Sequence, residues 1–222
     1  MKIFADTADI AQLSKLVEIG IIDGVTTNPT LVAQVCGSEE NLYEHYRKIC
    51  ALINGDVSLE VISTTTDEMI KEAITLSTIN ENVVVKLPVT EEGLKAIAYL
   101  SKRGIRCNCT LVFSVSQALL AAKAGAYYVS PFIGRIDDIS GDGLSLIEDI
   151  VTVFRNYRIG TKVLAASVRH PYHFVECAKM GVDAITAPPS VLFALLKHPL
   201  TEAGLERFLK DYNKLRKNVT AN

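Results

Sequence analysis

Lys86 stands in the run Val83-Val84-Val85-Lys86-Leu87-Pro88. An ammonium in such apolar surroundings is costly to desolvate, and burial favours the neutral amine. A neutral amine attacks carbonyl carbon and can form a Schiff base. Taken alone, the same pattern also fits a lysine that reaches out to solvent or pairs with a carboxylate. Other polar residues close or follow apolar runs in the same way: Asp6, Thr26-Thr27-Asn28-Pro29, Glu60, Asn108 with Thr110, Ser130 with Phe132 and Arg135 after it, and Ser167 with Arg169. Asp6 and Glu60 can divide general acid and base work, or each can simply neutralise Lys86 or an arginine. Planar guanidiniums suit phosphate, so Arg135 and Arg169 are candidate phosphate holders. Surface salt bridges to Asp137 or Asp138 are the alternative. Thr186-Ala-Pro-Pro offers little chemistry.

These residues need a frame that brings them together. Eight short apolar runs recur along the chain, at Lys2–Asp6, Gly24–Thr27, Val57–Val61, Asn82–Leu87, Ile105–Leu111, Ala126–Phe132, Lys162–Ala166 and Asp183–Ala187. Short, continuously apolar runs suit parallel strands covered on both faces. Amphipathic segments lie between them, among them Ala8–Ile19, Glu91–Lys102, Ser114–Lys123 and Gly143–Arg155. Thr90-Glu-Glu-Gly reads as a helix start with acids near the positive dipole end. Gly104, Gly125 and Gly181 follow helical patterns, where a left-handed cap favours glycine. Repeated β-then-α units of this number point to α/β architecture: a (β/α)₈ TIM barrel with an additional C-terminal helix over 201–217. An open sheet usually has fewer strands at this length, and G-x-G-x-x-G is absent. In a barrel, the polar strand ends converge on one mouth. The last helix carries Leu205, Phe208, Leu209, Tyr212 and Leu215 on a stripe that needs cover, from the barrel or from a neighbouring subunit. No Pro/Ser-rich linker divides the 222 residues, so 1–222 is read as a single barrel domain.

Composition removes several function classes. A net charge of −2 and no long Lys/Arg run argue against nucleic acid. No uncharged apolar stretch of about 18 residues occurs, and Met-Lys-Ile-Phe-Ala-Asp does not open a signal peptide. Five sparse cysteines suit a reducing compartment, here read as the cytoplasm. Cys107 and Cys109 are read as buried thiols facing helices. His170 and His173 have helical-turn spacing but lack a further ligand in the sequence, so no metal is assigned. Ser140-Gly-Asp-Gly lacks the Lys-Ser/Thr of a phosphate loop and reads as a turn opening a helix.

The chain resembles the small transaldolases, in the family that also contains fructose-6-phosphate aldolases. The motifs are Phe4-Ala-Asp-Thr-Ala, Gly24-Val-Thr-Thr-Asn-Pro-Thr, Val84-Val-Lys-Leu-Pro, Asn108-Cys-Thr-Leu-Val-Phe, Tyr128-Val-Ser-Pro-Phe-Ile-Gly-Arg and the Lys-His-Pro-Leu-Thr before the last helix. The resemblance implies a Schiff base on Lys86, acid/base work by Asp6, and a proton-shuttling water held by Glu60 and Thr110. It further implies that Asn28 and Asn108 bind hydroxyls of a three-carbon fragment, with Thr26, Ser130, Phe132 and Ser167 around the same pocket. Arg135 and Arg169 would hold the phosphate of a sugar-phosphate substrate. No cofactor is implied. The aldolase branch typically has Gln at the Glu60 position and Tyr at the Phe132 position, so the resemblance favours transfer of dihydroxyacetone from fructose 6-phosphate or sedoheptulose 7-phosphate to an aldose phosphate. The alternatives are an aldolase releasing dihydroxyacetone and a non-catalytic sugar-phosphate-binding barrel. The family also implies a homo-oligomer in which the last helix docks on the next subunit of a ring, with rings paired into a decamer.

Overall fold

The computed structural model describes residues 1–36 and 42–219, without the side chains at positions 215 and 217–219. The Leu215 end of the expected stripe therefore lies outside the described side chains. Strands β1 (Lys2–Asp6), β2 (Gly24–Thr26), β3 (Asp56–Glu60), β4 (Val83–Pro88), β5 (Cys107–Val112), β6 (Tyr128–Pro131), β7 (Lys162–Ala165) and β8 (Ala184–Ala187) form a closed parallel barrel in chain order. Helices α1 (Ile10–Ile19), α3 (Leu42–Leu52), α4 (Thr66–Ser77), α5 (Glu91–Ser101), α6 (Val115–Lys123), α8 (Gly143–Asn156), α9 (Pro171–Met180) and α10 (Pro189–Leu195) follow the strands in turn. Two short helices were not expected from periodicity: α2 (Pro29–Ala33) after β2 and α7 (Ile133–Asp137) after β6. Each is too short to show a 3.6-residue pattern. The C-terminal helix α11 runs Pro199–Val219.

Strand alternation divides the core in two. Ala5, Val25, Leu59, Val85, Leu87, Cys107, Cys109 and Val129 belong to the cluster shared with the helices. Burial there pushes the thiols of Cys107 and Cys109 up to about 12. Phe4, Val84, Tyr128, Leu164 and Ala184 form a second cluster that fills the barrel interior. Two residues further along their strands, Asp6, Lys86, Ser130 and Thr186 share the inner face one layer nearer the C-terminal mouth. The opposite end is closed by Asp56, which accepts from Tyr128 Oη at 2.8 Å and from Arg106. Burial alone would lift the Asp56 carboxyl; those two hydrogen bonds, together with the charges of Arg106 and Lys2, outweigh it and hold the group below its usual range.

The local signals act as expected. Thr90, Ser114 and Asp142 each accept a backbone N–H at the start of α5, α6 and α8, a contribution of about 1 kcal/mol apiece. Gly104, Gly125 and Gly181 have φ of 77°, 92° and 80°. The β6 ladder is shorter than expected: Phe132 leaves it, keeps one bridge to Ala166, and becomes the residue before α7. The stripe on α11 is not packed across this chain's barrel. Leu205, Phe208, Leu209 and Tyr212 are 58–71% exposed. Among the described residues no helix is long and apolar enough to cross a membrane.

Candidate active site

A cavity of about 160 Å³ opens at the C-terminal mouth, lined by Asp6, Thr26, Asn28, Lys86, Ser130, Phe132, Arg135, Ala166, Ser167, Arg169 and Thr186. Of the residues expected in the site, only Glu60, Asn108 and Thr110 are absent from that lining, and they lie next to it on β3 and β5. Lys86 is level with Glu60 on one side and with Asn108 on the other.

Lys86 is 5% exposed. Its Nζ is 2.8 Å from Glu60 Oε2 and donates to the Thr27 carbonyl at 3.2 Å. The ion-pair reading of Lys86 is therefore realised, and the same amine faces the cavity. A carboxylate at bonding distance from a cavity-facing amine can take up or return its proton. Asp6 also lines the cavity. Withdrawal from water raises its pKa, and the nearby Lys86 charge and a hydrogen bond from Thr26 oppose that rise. Thr26 Oγ1 donates to Asp6 Oδ1 at 2.7 Å and lies 2.7 Å from Thr186 Oγ1.

Behind Lys86, Asn108 Nδ2 donates to Ser58 Oγ at 3.1 Å, and Ser130 Oγ donates to Asn108 Oδ1 at 2.7 Å. This buried chain fixes the amide orientation and leaves Asn108 one hydrogen and one lone pair for another partner. Thr110 Oγ1 is buried and has no hydrogen-bond partner among the described residues. Asn28 caps α2 by accepting from Leu31 N at 3.0 Å, with Pro29 as the first helical residue. That cap holds its amide at the cavity rim.

The two arginines are brought together by α7. Ile133 N donates to Ala166 O at 3.0 Å and Gly134 N to Ser167 O at 2.9 Å, which ties the start of α7 to the end of β7. Ser167 takes a left-handed φ of 58° there. A Cβ on Gly134 would lie 2.4 Å from Arg169 Nε and 2.6 Å from Ser167 O, so glycine permits the approach. The Arg135 guanidinium stands 5.1 Å from the Phe132 ring centre. Arg169 pairs with Asp138 at 2.8 Å, across two half-exposed side chains, so the surface salt bridge and the cavity position coexist. His170 caps α9, and His173 Nε2 lies 3.1 Å from Asp137 Oδ2.

A cavity lined by an amine, a carboxylate and two guanidiniums, with a second carboxylate paired to the amine, suits carbonyl addition, proton transfer and anion binding. Comparison with known proteins points the same way. The sequence profile of the transaldolase/fructose-6-phosphate aldolase family matches residues 3–220. The chain belongs to that family. It is 54% identical over 216 residues to a probable transaldolase of Cytophaga hutchinsonii, covering 97% of this chain and 99% of that one. It is 55% identical over 219 residues to a probable transaldolase of Kosmotoga olearia, covering 99% of each. A probable transaldolase of Bacteroides thetaiotaomicron is 53% identical over 217 residues, with 97% and 99% covered.

In this transaldolase-family barrel three site contributions escaped the sequence reading. Thr186, set aside as offering little chemistry, lines the cavity and bonds Thr26. Ser58 anchors Asn108, and Thr27 supplies the carbonyl that Lys86 meets. Thr186 and Ser58 were findable by parity. Each is two residues from an inward-facing neighbour, Ala184 or Glu60, and so shares its face.

Proposed function

We propose that the protein is a transaldolase working through a Schiff base on Lys86. The observation that carries this reading is the Lys86 amine, buried and cavity-facing, with Glu60 at 2.8 Å and Asp6 lining the same cavity. Family membership supplies the independent support. The Lys86 amine adds to the ketone of fructose 6-phosphate or sedoheptulose 7-phosphate. Glu60, with a water held by the Thr110 hydroxyl, moves the protons as the carbinolamine loses water. The resulting iminium accepts the electron pair of the scissile C–C bond while Asp6 removes the proton from the hydroxyl beyond it. An aldose phosphate leaves, and the enamine adds to another aldose phosphate.

Asn28 and Asn108 hold hydroxyls of the three-carbon unit, with Thr26, Ser130 and Ser167 around it. Arg135 and Arg169 bind the phosphate; Arg169 exchanges Asp138 for it. Phe132 offers no hydroxyl to protonate the enamine, and this favours waiting for an acceptor over release. The chain acts as a single barrel domain in the cytoplasm and assembles as a homo-oligomer, through rings that pair into a decamer. The exposed α11 stripe supports that assembly. Truncation before Thr201 should lower the assembled mass; an unchanged mass refutes the arm.

The decisive experiment incubates the protein with fructose 6-phosphate and borohydride and maps the adduct. An unmodified Lys86 refutes the mechanism. A coupled assay with and without erythrose 4-phosphate then separates transfer from release: activity that does not need the acceptor makes the protein an aldolase.

A further inference from the structure

Thr26, Thr186 and Asp6 come from three strands that are neighbours in the barrel, β2, β8 and β1. Their oxygens form a continuous chain with two links of 2.7 Å each. A hydroxyl has one proton to give. Thr26 gives its proton to Asp6 Oδ1, so the Thr186 hydroxyl must be the donor to Thr26. Thr26 and Thr186 are 2% and 3% exposed, so bulk water does not compete for either hydroxyl. Among the described residues Asp6 Oδ2 has no hydrogen-bond partner.

We propose that Thr186 and Thr26 are positioning residues that form a one-directional hydroxyl relay onto Asp6, holding Oδ1 as an acceptor and leaving Oδ2 to exchange the substrate proton. This rests on the reading of Asp6 as the base of bond cleavage. The relay has two consequences. It fixes which carboxylate oxygen faces the cavity. It also strengthens Thr26 as a donor, because a hydroxyl that accepts a hydrogen bond donates more strongly. Donation to the carboxylate favours its ionised form, the form needed to take a proton from substrate. The other charges near Asp6 are Lys86 on β4, with Glu60 beside it on β3, and Arg135 and Arg169, which line the same cavity. Lys86 also favours the ionised form, whereas burial opposes it. Thr186 thus influences the base without touching it.

The test is the pH profile of kcat/KM for fructose 6-phosphate with erythrose 4-phosphate as acceptor. Thr186→Val keeps the shape and removes the hydroxyl. On the acid limb its kcat/KM should fall roughly threefold, and that of Thr26→Val roughly tenfold. Thr186→Ser should restore the wild-type limb. Thr186→Ala takes the place of valine if the second methyl prevents folding. Limbs of Thr186→Val or Thr186→Ala that superimpose on wild type overturn the relay alone, as does a serine variant that fails to restore the profile. A wild-type protein with no exchange activity overturns the functional reading, and the relay with it.

Discussion

Consider replacing Glu60 by Gln. The substitution keeps the size of the side chain and one oxygen acceptor, but removes the charge 2.8 Å from Lys86 Nζ. At that separation, with an effective dielectric of about 20, the gross attraction is roughly 6 kcal/mol. Much of it only offsets the cost of taking both ions out of water. The side chains are 7% and 14% exposed, so solvent screening is slight. Glu60→Gln leaves the Lys86 ammonium buried with only neutral acceptors, the Thr27 carbonyl and the amide oxygen, a loss of about 3 kcal/mol for a broken buried pair. In a chain of this size that is a fall in Tm of roughly 6–12 °C. Lys86→Met strands the Glu60 carboxylate and should cost a similar amount. The double variant should lose much less than the two single losses added together, with a coupling of about 2 kcal/mol. Urea unfolding at one fixed protomer concentration measures the cycle, because the proposed assembly would make stability depend on concentration. Additivity within about 0.5 kcal/mol would falsify the pair as a unit. In the same Glu60→Gln protein, borohydride trapping with fructose 6-phosphate should slow by about 100-fold. An unchanged trapping rate would remove Glu60 from the proton transfers even if the stability cycle held.

Asp6→Asn should abolish exchange and raise stability at neutral pH, read by urea unfolding. Burial lifts the folded-state pKa of Asp6 above its unfolded value despite Lys86 and Thr26. Ionised Asp6 therefore destabilises the fold above that raised pKa, and the variant's advantage should shrink as the pH falls through it. Arg169→Met should raise KM for phosphorylated donors about 10- to 100-fold, the worth of a charge-assisted contact, with no matching change for dihydroxyacetone as donor. Gly134→Ala should act in the same direction more weakly, because its Cβ displaces Arg169; steady-state kinetics checks both. Phe132→Tyr should increase acceptor-independent release of dihydroxyacetone by at least about tenfold in the coupled assay, since a tyrosine hydroxyl can protonate the enamine.

The positions of Asp6, Glu60 and Lys86 were legible because a parallel barrel turns chain position into depth. An apolar run followed by a polar residue at its C-terminal end places that residue at the mouth, whatever its neighbours. The same rule explains what was missed. Thr186 stands one residue before the end of its strand and shares the inner face with Asp6, but a threonine has no chemistry of its own to attract notice. Its part depends on two neighbours in space that are 160 and 180 residues away in sequence. The helix α7 escaped for a different reason. Five residues are too few for periodicity, and what holds Ile133–Asp137 is hydrogen bonding to the end of β7, a tertiary interaction. Arg135 and Arg169 could thus be nominated singly from their strands, while the close approach of Arg169 to Gly134 could not. The α11 stripe lies at the limit of such reading. Helical spacing shows that Leu205, Phe208, Leu209 and Tyr212 share a face, but periodicity is blind to what covers it. A stripe 58–71% exposed on one chain is an apolar surface that the chain's own barrel leaves open, and that exposure is what supports its proposed burial against a neighbouring subunit.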